Sequence, residues 1–282
     1  MSLDYIHVDV FSARPLAGNG LIVFPDSTGL GADDMLRITQ EMRQFESIFL
    51  IDEGDAVAAR IFTVEEELPF AGHPLLGAAA SLLFDRPADE AALIRFRLGK
   101  RIVEVTCRRD GTIIHAEMDQ GVPVFGDPAR EELADQIYAG HGIAPAHRDD
   151  RYPLVMVSTG LPYAILPVTA EGLASAAICA PDFAALLDRV GAQFAYVLDA
   201  DAREGRTWDN AGKVEDIATG SAAGPAAAYL HLYADAPDAL HINQGRFVGR
   251  PSLIDVRRDM ATGHYFVGGD VTLVARGTLL NW

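Results

Sequence analysis

The chain has 282 residues, 49% of them hydrophobic and 22% charged, so it can bury a large core and is long enough for two domains of ordinary size. A net charge of -17 argues against a nucleic-acid partner, because phosphate binding draws on a basic surface. No apolar run reaches the roughly 18 to 20 residues that span a bilayer, and the N-terminus lacks the basic and apolar regions of a signal peptide, so the expectation is a cytoplasmic protein with no membrane partner.

Met1, Ser2 and Leu3 read as an expression remnant ahead of a first strand that begins at Tyr5. Strand patterns follow at 5–10, 21–23, 47–51, 57–62, 93–97, 102–107 and 112–117, mostly bounded by Gly, Asp or Pro turns. Helical patterns cover 32–43, with Asp33 and Asp34 in the first turn, and the apolar stretch 73–84. "QGVPVFGDPAR" at 120–130 has the Pro and Gly density of a boundary. Beyond it the pattern predicts a helix near 130–138, strands near 154–157 and 163–168, a helix near 181–190, a strand at 194–198 and a helix at 221–233. Alternating segments at 241–243, 252–257 and 265–267 come next, and the final run "VTLVARGTLLNW" adds a strand to one of the sheets. The chain therefore divides into two similar halves, 1–122 together with 270–282, and 123–269.

One motif occurs twice. "ELPFAGHPLLGAAASLL" from Glu67 and "EDIATGSAAGPAAAYL" from Glu215 share an acid, four intervening residues, a glycine with a polar neighbour, a second glycine and an Ala/Leu helix. A helix apolar nearly all round must be wrapped by sheet. Its first backbone N–H groups lack intrahelical partners and carry partial positive charge, so its head attracts anions. Gly72 and Gly220 permit close approach to the main chain, and His73 and Ser221 stand where a polar side chain meets a ligand. The plainer alternative makes Ser221 or Thr219 a helix cap and His73 a core or surface histidine. Two such heads facing one interdomain cleft would receive a carboxylate or a developing enolate.

Other motifs fall away on inspection. "GHPLLGAA" lacks the Lys-Ser/Thr that completes a phosphate loop, and "GSAAG" is not a nucleophile elbow. The eight histidines show no metal-ligand spacing, so no metal is expected. Cys107 and Cys179 are far apart and in no CxxC arrangement, which fits a reducing compartment. "VEEEL" at 64–68 reads as a turn with a solvated acidic face. Glu46 is a lone acid between Phe45 and an apolar strand. Apolar neighbours raise a carboxylate's pKa and suit it to moving protons, although an exposed edge position on an alternating strand is equally open.

These segments together resemble the phenazine biosynthesis protein family (PhzF-like), within the diaminopimelate epimerase-like fold. The resemblance rests on "VDVFSARPLAGNGLIVF" at 8–24, "EMRQFESIFL" at 41–50, "RIFTVEEELPFAGHPLLGAA" at 60–79, "STGLPYAILPV" at 158–168, "EDIATGSAAGPAAAYL" at 215–230 and "QGRFVGRPS" at 244–252. It implies an α/β (α+β) protein of two pseudo-symmetric domains, each a curved mixed sheet or barrel around a central helix, with the active site between them. It further implies isomerase chemistry without a cofactor on a small carboxylic acid, in a homodimer. By the same resemblance Glu46 is the catalytic glutamate, His73 and Asp216 are its partners, and Gly72, Gly220 and Ser221 bind substrate.

The related two-thiol racemases carry a cysteine at each helix head, where this chain has Gly72-His73 and Gly220-Ser221, so that mechanism is excluded. Around Glu46 the family's usual Asn-x-Ser and Thr are replaced by Arg43, Phe45 and Ser47, with Arg43 and Ser47 then candidates for substrate binding. Glu46 is expected to take a proton from an activated C–H, with a neutral His73 donating a hydrogen bond to the developing charge and Asp216 orienting or shuttling protons. A non-catalytic metabolite-binding protein and an epimerase or racemase using Glu46 are the alternatives.

Overall fold

A computed structural model describes residues 2–86 and 88–280. The chain forms two compact units, Met1–Asp119 with Gly268–Trp282, and Gln120–Val267.

In the first unit the strands are β1 (Ser2–Val10), β2 (Asn19–Phe24), β3 (Glu46–Asp52), β4 (Val57–Thr63), the short β5 (Glu67–Leu68), β6 (Ala91–Leu98), β7 (Arg101–Asp110) and β8 (Ile113–Gly121). Eight strands run in the order β1-β2-β3-β4-β6-β7-β8-β16, where β16 is Tyr265–Leu280, and β16 pairs back onto β1 to close a barrel. Closure leaves the barrel no free edge. Parallel pairs, β2 with β3 and β4 with β6, interrupt the antiparallel ones. β2 is buried along its whole length and β3 along its first five residues, as expected of strands covered on both faces.

The two helices of this unit cover opposite faces of the wall. α2 (Gly72–Phe84) lies against β1, β2, β3, β6 and β7, and eleven of its residues are buried. With no polar side to offer water, it is stable only with sheet around it. Small residues let the strands come close: a Cβ on Gly77 would stand 2.5 Å from Leu21 Cδ2 and 3.0 Å from Val10 Cγ2. α1 (Ala32–Met42) is amphipathic and packs Met35 and Ile38 onto Ile22, Phe24, Phe49 and Phe62. Phe24 and Phe49 stack at 4.6 Å and Phe62 meets Phe49 edge-on at 5.6 Å, the preferred aromatic geometries.

The second unit is a mixed sheet in the order β15-β14-β13-β12-β11-β10-β9. Its strands are β9 (Val124–Phe125), β10 (Val155–Ser158), β11 (Pro162–Pro167), β12 (Phe194–Asp199), β13 (Glu204–Arg206), β14 (Ala239–Gln244) and β15 (Ser252–Arg258). α6 (Gly220–Tyr233) lies against β10, β11, β12, β14 and β15 and is buried from Ala222 to Leu230. A separate core joins α3 (Glu131–Gly140), α4 (Ala170–Ser175) and α5 (Phe183–Asp188) to the strands through Ile137, Tyr138, Leu173, Phe183 and Leu187. His141 is wholly buried in it, edge-on to Phe183 and to Trp208.

Two expectations need correction. The first strand begins at Ser2 and not at Tyr5: Ser2 and Leu3 pair with Leu280 and Leu279, and Leu3 enters the α1 core. Met1 lies outside the described residues. The segment 265–267 and the last run form one sixteen-residue strand, β16, although Asn281 and Trp282 at its end lie outside the described residues. The Gly268-Gly269 pair between them lies within the strand; a Cβ on Gly268 would lie 2.3 Å from the Ala116 carbonyl oxygen, so the glycine serves close strand approach.

Filling the α2 contact tests this packing. Gly77→Leu adds a better helix former, yet it should destabilise by about 1–3 kcal/mol through overpacking against Val8, Val10 and Leu21. Urea unfolding followed by circular dichroism gives the value; a neutral or stabilising result contradicts the close approach.

Candidate active site

Glu46 is the first residue of β3, held by pairing with Leu21 on one side and Thr63 on the other. α1 is closed by Arg43 in the left-handed region (φ 55), and three residues later, at Glu46, the chain enters the barrel wall. The side chains of a strand alternate between faces. Glu46 therefore shares a face with Ile48 and Leu50, whereas Ser47 shares the other with Phe49, between Ile22 and Phe62 under α1. Ser47 is fully buried there and its hydroxyl has no hydrogen-bond partner among the described residues. Its side chain is thus turned away from Glu46 and packed under α1, which counts against the expectation that Ser47 binds substrate. Arg43 is exposed at the end of α1, and Phe45, which precedes Glu46 in the chain, is 44% exposed.

His73 approaches Glu46 from α2. Gly72 is the first helical residue and His73 the second, and no side chain caps the helix. Pro74 takes the third place, where its missing N–H was an orphan in any case. A Cβ on Gly72 would lie 2.8 Å from Met118 Cε, so glycine lets the barrel wall close over the helix head. Nδ1 of His73 stands 3.5 Å from Oε2 of Glu46, with both residues nearly sealed at 7% and 6% exposure. Burial pushes the imidazole pKa down to about 3, and the positive end of α2 opposes a cation further. At neutral pH the contact is therefore a carboxyl group beside a neutral imidazole, not an ion pair. The other ring nitrogen, Nε2, is buried and has no hydrogen-bond partner among the described residues.

The head of α6 is built differently. Thr219 precedes the helix but its side chain does not cap it, and Ser221 is the second helical residue, so neither hydroxyl has the capping role of the plainer alternative. Thr219 Oγ1 donates to Asp216 Oδ2 at 2.6 Å, and Ser221 Oγ shares a 2.7 Å hydrogen bond with the Tyr163 hydroxyl. Burial raises the Tyr163 pKa, so the phenol keeps its proton at neutral pH. Glu215, the acid that opens the motif, is held by Arg206 in a two-pronged pair at 2.8 and 2.7 Å. Arg206 itself stacks on Trp208 and Phe247. Pro225 inside α6 has no N–H, which leaves the Ser221 carbonyl without its usual helical donor.

Sequence reasoning missed Tyr163, Gln244 and Arg206. The first two stand inside the segments "STGLPYAILPV" and "QGRFVGRPS", but nothing in their spacing ties them to the α6 head. Cys107 is buried with its thiol pushed up to about 12, and Cys179 is exposed and free. Among the described residues no group of three or more His, Cys, Asp or Glu is placed to hold a metal ion, and no helix is long and apolar enough to cross a membrane.

Comparison with known proteins gives this geometry its class. Over 99% of this chain the fold matches all of the solved structure of a predicted epimerase from Pseudomonas aeruginosa, with 48% identity and a TM-score of 0.93. A solved PhzF-family protein from Bacillus anthracis shares the fold at TM-score 0.84 and 23% identity, with 99% of each chain covered. The protein is an isomerase with a diaminopimelate epimerase-like fold. The chain belongs to the phenazine biosynthesis-like protein family, PhzC-PhzF, whose model matches residues 8–277. A curated relative, the trans-2,3-dihydro-3-hydroxyanthranilate isomerase of Pseudomonas chlororaphis, is 33% identical over 98% of this chain and 99% of its own.

The buried imidazoles set an acid limit on stability. The unfolded chain takes up a proton on each histidine below its ordinary value of 6.5, whereas folded His73 resists until about 3 and folded His141 until about 4. Protons therefore favour unfolding, and stability is lost as pH falls from 6.5 through this window, each histidine adding about a tenfold change in the unfolding equilibrium per pH unit. His141→Phe keeps an aromatic ring against Phe183 and Trp208 and should flatten the loss by one histidine's share. Urea midpoints at pH 7, 5.5 and 4.5 compare the two; parallel curves would show that His141 is not buried neutral.

Proposed function

We propose that the protein moves a proton between carbons of a small carboxylic acid, with Glu46 as the group that takes and returns it. The observation that supports this most directly is the Glu46–His73 couple: a sealed carboxyl group 3.5 Å from a neutral imidazole whose Nε2 is buried without a partner among the described residues. Once Glu46 has taken a proton from an activated C–H, its hydroxyl donates to Nδ1. The single proton of the imidazole then sits on Nε2 and can be donated to the oxygen that gathers negative charge. A histidine that titrated at 6.5 would compete for the proton; one held neutral to about 3 does not.

The curated relative acts on trans-2,3-dihydro-3-hydroxyanthranilate, a small ring acid, and that class of substrate is carried to this chain as part of the proposal. The exposed Phe45 ring, next to Glu46 in the chain, suits the apolar body of such an acid. Asp216, Gly220 and Ser221 are proposed to act on the same substrate, a reading supported by the doubled motif and by family membership. The proposal extends to a cytoplasmic homodimer that needs no cofactor, which the family resemblance alone supports.

Solvent-deuterium incorporation is the direct assay, with trans-2,3-dihydro-3-hydroxyanthranilate and a set of small amino and hydroxy acids as probes. Glu46→Gln should slow exchange at least about 100-fold while leaving the melting temperature near that of the parent. Exchange at the parent rate would reject the assignment of Glu46. The position and stereochemistry of the incorporated deuteron separate transfer between carbons from epimerisation at one carbon. Ser221→Ala, which removes one hydrogen bond of about 1 kcal/mol, should raise KM about fivefold with kcat less affected.

A further inference from the structure

Beneath the loop that leads into α6 lies Gln244, the last residue of β14 and the first of "QGRFVGRPS", only 1% exposed. Its amide makes four hydrogen bonds. Nε2 donates to the Asp216 carbonyl oxygen at 3.0 Å and to Thr219 Oγ1 at 2.9 Å. Oε1 accepts from the Thr219 backbone N–H at 3.2 Å and from the Tyr196 hydroxyl at 3.1 Å. That is the full capacity of a carboxamide. The orientation is settled by its partners, because a flipped amide would set an NH2 against the Thr219 N–H and an oxygen against the Asp216 carbonyl.

The fixed amide gives the chain of bonds a direction. An amide nitrogen can only donate, so Thr219 Oγ1 must accept from Gln244, and the one hydroxyl proton of Thr219 is left for Asp216 Oδ2, 2.6 Å away. The path runs from the Tyr196 hydroxyl to Gln244, to Thr219 and to the Asp216 carboxylate, which it fixes as an acceptor. The backbone is shaped for this. Gly245 follows with φ 85, and a Cβ there would stand 2.6 Å from the Ile217 carbonyl oxygen, so only glycine lets the end of β14 reach under the loop. A Cβ on Gly205 would fall 2.2 Å from the Tyr196 ring, which occupies the room that glycine leaves.

We propose that Gln244 is a positioning residue for the reaction: it holds Asp216 and the Thr219–Ser221 helix head in place and, through Thr219, keeps Asp216 in its ionised form. The proposal rests on the reading that Asp216 takes part in the reaction. A hydrogen bond to the charged form of a carboxylate lowers its pKa. Removing the donor or its support should therefore raise the pKa of Asp216 and draw the acid limb of kcat/KM to higher pH.

The test begins without substrate. The 13C carboxyl resonance of Asp216 is titrated in the full-length protein, in Gln244→Met and in Thr219→Val, the second being a smaller change that serves if the first fails to fold. A rise of about one unit in either variant is the expected result. An unchanged Asp216 titration in Thr219→Val overturns the proposal. Deuterium exchange into trans-2,3-dihydro-3-hydroxyanthranilate, or into the acid that exchanges fastest in the same screen, then follows catalysis. Gln244→Met should lower kcat about 10- to 100-fold, the cost of a misplaced group. The double variant Asp216→Asn/Gln244→Met should be no slower than Asp216→Asn alone. Losses that multiply would show that Gln244 merely supports the fold. An Asp216→Asn enzyme with the parent kcat sinks the role of Asp216 and that of Gln244 with it, while the Glu46→Gln result reports on the carboxyl–imidazole couple separately.

Discussion

A helix without a polar face cannot lie at a surface, and the central helix of each unit is of that kind. α2 and α6 present alanine, leucine and glycine all round, so each must be enclosed by strands, and the barrel of the first unit closes around α2 to do so. Enclosure leaves the helix ends as the places where polar chemistry can occur. The N-terminal end carries unpaired N–H groups and partial positive charge, and no side chain of either helix caps it. The polar side chains His73, Thr219 and Ser221 stand at these heads.

The two heads solve the same burial problem in opposite ways. In the first unit His73 is neutral, sealed and short of one hydrogen-bond partner among the described residues, beside a carboxyl group at 3.5 Å. An incomplete polar arrangement of this sort costs stability and is retained where chemistry needs it. In the second unit the carboxylate of Asp216 is served by Thr219, which is served by Gln244, whose four bonding positions are all filled. A completed network is rigid and specifies one geometry. The duplicated motif thus carries a neutral imidazole short of a partner among the described residues in one copy and a carboxylate served by a filled network in the other.

Much of this was legible in the sequence because the signals are local. The apolar helices, the glycine–polar pair at each head and the lone acid before an apolar strand are all patterns within a dozen residues, and they singled out Glu46, His73 and Ser221 as candidates, with Asp216 added by the family resemblance. What was not legible depends on pairings between distant segments. Gln244 meets Thr219 from 25 residues away and Tyr163 meets Ser221 from 58, and no periodicity announces either. Ser47 was named because it stands where the family usually has Thr after the glutamate, whereas the pleat of a strand puts neighbours on opposite faces and leaves Ser47 under α1.

The pairing of Ser2 with Leu280 has a bearing on biogenesis. A ribosome delivers the first seven wall strands early, but the eighth, β16, follows only after nearly all of the unit at 120–267 has been made. Until it arrives, β1 and β8 each present a bare hydrogen-bonding edge, and the lining meant for α2 is incompletely covered. The intervening unit is contiguous and can fold as it emerges, whereas the unit that holds Glu46 waits. Nascent chains stalled before β16 emerges would then be the aggregation-prone species, a burden for holding chaperones that arises from connectivity alone.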